Sequence, residues 1–169
     1  MLQDHQGAIA TSVAQSAPLA EQRLVLRILT LWRAAHIGET LPQPAAMTVA
    51  ATGDDAHNVY LLEIGAAEEA RFAYIGETLL PRPWRGVEAS RSVADCPRDT
   101  ILGLASTHWH EIVERRVPVT RGGIGWHNAA PVLYRAIMVP LFDAGGTISA
   151  IMGAVNWRPV EVQDGTPVD

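Results

Sequence analysis

Apolar residues recur at helical spacing early in the chain and alternate in strand fashion later. Between residues 18 and 38, Leu24, Val25, Ile28, Leu29, Leu31, Trp32 and Ala35 fall on one broad arc at about 100° per residue. Arg23, Arg27 and Arg33 lie outside it, and Leu26 makes the helix apolar on more than one side. Pro18 suits a first turn, Ser16 a cap before it, and Gly38 an end. The pattern predicts an amphipathic N-terminal helix over 18–38, preceded by a mobile leader over 1–17.

Residues 45–57 are small and polar and read as a loop. From Asn58 to Ile64 the chain alternates, with Tyr60, Leu62 and Ile64 on one face and Val59 and Leu61 on the other. A second strand spans Arg71–Gly76, with Phe72 and Tyr74 expected on one face, and Gly65–Ala70 is short enough for a hairpin loop. Residues 77–95 read as loop and short helical turns. Asp95 or Cys96 is then expected to cap a helix with Pro97 in its first turn, running to about Arg116. Its apolar face holds Ile101, Leu102, Leu104, Ala105, Trp109, Ile112 and Val113. Gly122-Gly123 interrupts the extended segment that follows. Pro131–Phe142 and Thr147–Trp157 are strands joined by a turn at Asp143–Gly146, and both are apolar on both faces over much of their length, as in the middle of a sheet covered on one face and at least partly on the other. The tail 159–169 reads as frayed. This is one α+β domain over 18–158, with an antiparallel sheet and helices mainly on one side.

Composition narrows the function. The chain has 169 residues, 48% hydrophobic and 18% charged, enough to bury a core without metals or disulfides. Its net charge of −5 argues against nucleic-acid or anionic-membrane partners. Every basic residue is Arg, which removes lysine Schiff-base and P-loop chemistry. One cysteine, no secretory signal and no long apolar run suggest a cytoplasmic protein with no membrane insertion.

Several segments then carry a likeness by their order and spacing. They are Leu31-Trp32, Arg71-Phe72-Ala73-Tyr74-Ile75-Gly76 with Leu79 three residues on, Arg85-Gly86, and Val139-Pro140-Leu141-Phe142-Asp143 followed by Gly145-Gly146. Over about residues 22–157 the chain resembles a bacterial family of short stand-alone PAS proteins. The resemblance implies a five-stranded antiparallel sheet cupping a small cavity under the helices. It also implies a sensory or protein-interaction role without catalysis. A GAF-type domain is the nearest fold alternative. The stretch from Leu79 to Cys96 is shorter and richer in proline than the resemblance leads one to expect.

Candidate chemistry is sparse. His108 and His110 lie about 200° apart on a continuous helix, so they cannot share one ion. His110 falls on the polar face with Glu114. His108 falls near the centre of the apolar face, where the resemblance makes it a candidate haem ligand; a hydrogen-bonded core histidine is the plainer reading. Trp109, Ile112, Tyr74 and Trp126 are the other candidate ligand contacts, Trp126 within Trp126-His127-Asn128. Cys96 gains thiolate character if it opens a helix, but Asp95-Cys96-Pro97-Arg98 does not match the motif of flavin-binding light sensors. No serine sits in a nucleophile elbow, and no metal-ligand or phosphate-cradling pattern is present. The arginines at 82, 85, 91, 98, 115, 116 and 121 make a mildly basic middle.

The expected function is a stand-alone sensory or regulatory module acting through protein–protein interaction and gated by a small ligand. A signalling protein is its expected partner, and self-association is expected through Leu24, Ile28, Leu29 and Trp32 of the N-terminal helix. No cofactor is required, and haem or a small metabolite are the candidates. A haem or ligand sensor using His108 is the runner-up, and a small cavity-type enzyme ranks last.

Overall fold

The structure is a computed structural model that describes residues 19–67, 69–86 and 91–161, with side chains of the first helix described from Arg23. The leader over 1–17 and the tail beyond 161 lie outside the described residues.

Helix α1 covers Leu19–Ala34. Strands β1 (Val59–Ile64) and β2 (Ala70–Ile75) follow, then helices α2 (Ile101–Ser106) and α3 (Trp109–Arg115). Strands β3 (Val119–His127), β4 (Ala130–Phe142) and β5 (Ile148–Pro159) close the fold. The five strands form one antiparallel sheet, as the alternation and the resemblance predicted, and their order in it is β2-β1-β5-β4-β3. The long apolar strands β4 and β5 lie inside it, and each sheet face carries its own buried cluster.

On one face, Leu24 and Ile28 of α1 are buried against Val59, Ile137, Val139, Leu141 and Met152. Val25, Leu29, Leu31, Trp32 and Ala35 pack against the same cluster. The Trp32 indole N–H donates to the Pro140 carbonyl at 2.7 Å. Leu24 and Ile28, expected to form a docking surface, are therefore core, and Leu29 and Trp32 are mostly spent there too. An apolar arc of that width is what the outer face of the sheet requires, and one helix supplies it. Leu26 remains 58% exposed. The Arg27 guanidinium makes two hydrogen bonds of 2.5 Å to Asp55.

Three local readings change. Residues 45–57 are not plain loop: short helical turns run over Pro44–Ala46 and Val49–Asn58, the second kinked at Gly53. Phe72 and Tyr74 do not share a face. The pairing of β1 with β2 shifts register between Leu61 and Leu62, which inserts Ala73 as an extra residue. Phe72 stays in the helix-side core, whereas Tyr74 turns to the α1 side, where its hydroxyl donates to the Ala56 carbonyl at 3.1 Å. The helix expected over 97–116 is two helices. Thr100, not Asp95 or Cys96, caps the first, its Oγ1 accepting from the Gly103 N–H at 3.2 Å.

The β3–β4 turn is Asn128-Ala129, with φ of 50° and 68°. Two positive φ values are the type I′ signature that matches strand twist, and an alanine is strained there. Ala129→Gly is expected to stabilise the domain by about 0.5 kcal/mol, read as a rise in the midpoint of urea unfolding with an unchanged slope.

Candidate functional site

The second face of the sheet carries α2, α3 and the short turns Glu77–Leu79, Arg82–Trp84 and Val93–Asp95. Small residues on this face make room beneath them: Gly123 and Gly125 on β3, Ala136 on β4 and Gly153 on β5. The vacancy over Gly153 is filled from within. Tyr60 on β1 is its direct cross-strand neighbour and lays its ring on the glycine. Tyr60 meets Phe72 edge-on at 5.9 Å between centroids, and Phe72 meets Trp84 at 5.8 Å. Trp84 belongs to the turn Arg82–Trp84, so an aromatic ladder links the sheet to its roof.

Three buried polar atoms on this side have no hydrogen-bond partner among the described residues: Tyr60 Oη, Ser106 Oγ and His127 Nδ1. Native proteins leave few such atoms, and each calls for a physical reason. Tyr60 is wholly buried, and burial, then the neighbouring Cys96, raises its hydroxyl pKa. Cys96 is itself buried, and burial pushes its thiol up to about 12, against a weaker opposing hydrogen bond with Thr100. It ends a short turn and does not open a helix, so the reactive thiolate that a helix N-terminus would favour does not arise.

His127 ends β3 with its ring buried against Trp157, centroids 4.6 Å apart. Its Nε2 is 3.1 Å from the Asn128 amide nitrogen, while Nδ1 is unmatched. Its pKa is lowered, first by burial and then by the positive charges of Arg85 and Arg82. Arg82 and Arg85 flank Trp84, so the positive charge carried by that turn acts on His127. A buried imidazole that feels two positive charges suits an anion better than a metal cation. Among the described residues no group of His, Cys, Asp and Glu is placed to hold a metal ion.

The sign of the pH response follows. A histidine held below its ordinary 6.5 binds its proton later in the folded chain than in the unfolded one. Its contribution to stability is complete above about pH 6.5 and falls as the pH drops from there towards the folded value. In urea unfolding at successive pH values, His127→Gln is expected to flatten this part of the profile, and an unchanged slope would remove His127 as its source.

The candidates named from the sequence separate. A continuous helix would centre His108 on the apolar face, but the break between α2 and α3 leaves it exposed with φ −93° and ψ 19°. The break lets Ile101, Leu102 and Ala105 on one helix and Trp109 and Ile112 on the next reach the core independently, and His108 turns out to solvent. Trp109 and Ile112 are core residues, Tyr74 is on the other face, and Trp126 is 53% exposed on the edge strand. His110 and Glu114 are exposed as expected. The structure thus does not gather His108, Tyr74 and Trp126 into one site. No local pattern pairs Tyr60 with Gly153, because their meeting is a long-range register. The alternation Gly123, Gly125, His127 was the available signal for His127.

No protein-family model matches the chain, and no curated protein matches it. Solved structures do. The PAS domain of Bordetella pertussis BvgS matches at 14% identity over 63% of this chain and 76% of its own, with a TM-score of 0.39. A fungal LOV domain photoreceptor matches at 13% over 80% and 91%, TM-score 0.39. An RNA-binding light-oxygen-voltage receptor matches at 14% over 65% of this chain and 31% of its own, TM-score 0.41. Superpositions this loose leave the assignment to the chain's own topology. Five antiparallel strands ordered β2-β1-β5-β4-β3, with the helices between β2 and β3 packed on one face, give this chain the fold of a PAS domain.

Proposed function

We propose that the chain is a sensory or regulatory module that acts by binding another protein, and that a small anionic molecule bound beside His127 sets its state. The observation that supports this reading is the buried, unmatched Nδ1 of His127, on which the positive charges of Arg82 and Arg85 act. A carboxylate or phosphate there would accept from the guanidinium groups and from His127, which would then gain its proton. Haem ligation by His108 has lost its geometric basis, because that side chain faces solvent.

The test begins with native and denaturing mass spectra and an absorption spectrum of the purified protein. Thermal melts then follow with acetate, succinate, citrate and inorganic phosphate. An anion at one hundred times its Kd adds about 2.7 kcal/mol, a shift of several degrees. We expect one of these anions to raise Tm in the native chain and not in Arg85→Gln. A native mass of whole subunits, together with flat melts for every anion, would count against the reading.

A further inference from the structure

The two edges of the sheet are unlike. The outer edge of β2 is short, bulged and covered: the Phe72 N–H donates to the Arg91 carbonyl at 2.8 Å, and Arg71 bridges to Ser92. The outer edge of β3 is nine residues long, in unbroken register with β4, and free of proline. Among the described residues, β4 is the one element that bonds to its backbone. Edges of soluble proteins are normally blunted by charge, proline or a bulge. The single charge on β3 is Arg121, and it is tied to Glu111 of α3. Ile124 and Trp126, two residues apart on the α1-side face, are 69% and 53% exposed.

We propose that β3 is a strand-addition edge at which a second copy of this chain pairs, two-fold about Ile124. Opposite residues of an antiparallel pair share a sheet face, so this register sets Ile124 against the partner's Ile124. It also sets Trp126 against the partner's Gly122. Gly122 leaves that place open, and with Val25, Leu26, Thr120 and Arg135 it lines a cleft between α1 and the sheet. Each Trp126 ring crosses the opposing glycine into that cleft and covers Leu26. The sheet already uses this device internally, where Tyr60 lies over Gly153. No like charges face one another across the axis, since this register sets Arg121, paired with Glu111 in its own chain, against the partner's His127 and not against a second arginine. A second copy is the occupant because one strand supplies both the aromatic residue and its receiving glycine. The result is a continuous ten-stranded sheet across the pair. This inference is independent of the anion site.

Sedimentation of the full chain from about 1 µM to about 1 mM tests it, since an edge this small implies association in that range. We expect a concentration-dependent dimer that Ile124→Glu weakens at least about tenfold with no change in Tm, because the side chain is exposed in the single chain. Ile124→Cys is expected to form a reducible covalent dimer under mild oxidation, since residues paired with themselves across a two-fold bring their Cβ atoms within disulfide reach. Thr120→Cys is expected not to, and buried Cys96 does not compete. A chain that stays monomeric to about 1 mM overturns the proposal. So does a dimer indifferent to Ile124→Glu and lost on Leu26→Glu, which would place the interface on α1.

Discussion

Gly153→Ala destabilises the domain by about 3 kcal/mol, an expected fall in Tm of roughly 6–12 °C for a chain of this size. A Cβ built on Gly153 would lie 2.0 Å from Cζ of Tyr60 and 2.4 Å from its Oη, far inside any real contact. The ring cannot step aside at low cost. Tyr60 is 0% exposed and bears on Phe72, which bears on Trp84. The displacement would therefore run along the aromatic ladder to the roof beside Arg82 and Arg85. Urea unfolding of Gly153→Ala, Tyr60→Leu and the double variant measures the coupling. If the ring contact is the cause, the double variant is less destabilised than the sum of the two by at least about 1 kcal/mol. A cost below about 1 kcal/mol for Gly153→Ala alone would show that the sheet yields without effort and that the ladder is not rigid.

Ile28→Asp has the larger expected effect and abolishes the folded state. Ile28 is 0% exposed beneath α1, among Val59, Val139 and Met152. Truncation to alanine alone would cost about 2–5 kcal/mol, and a carboxylate adds the penalty of an unpaired buried charge. Total stability for a domain of this size is about 5–15 kcal/mol. Leu26→Asp, two residues earlier on the opposite side of the helix and 58% exposed, is expected to stay within about 0.5 kcal/mol of the native chain. Far-UV circular dichroism and melting of the two variants separate the roles of the helix. A folded Ile28→Asp protein that has merely lost its dimer would return the helix to the status of a docking surface. A disordered one confirms it as the cover of the outer sheet face.

The hydrophobic pattern by itself determined the strands, the amphipathic α1, the tight Asp143–Gly146 hairpin and the α+β class, because burial periodicity is a local property of the chain. It also pointed to β4 and β5 as inner strands covered on one face and at least partly on the other, since both are apolar on both faces over much of their length. Tertiary structure decided which side chains meet. One extra residue in β2 moved Tyr74 away from Phe72, which no alternation count reveals, because a bulge answers to the neighbouring strand. The break between Ser106 and Trp109 took His108 from the centre of an apolar face to solvent, while the two short helices each seat their own apolar residues in the core. His127, third in an alternation that starts with two glycines, is packed by Trp157 and feels the charges of Arg82 and Arg85, all of which arrive from distant parts of the chain. Residue types and periods are written along the chain. Register, helix breaks and the company a buried polar atom keeps are set by packing between segments far apart in sequence.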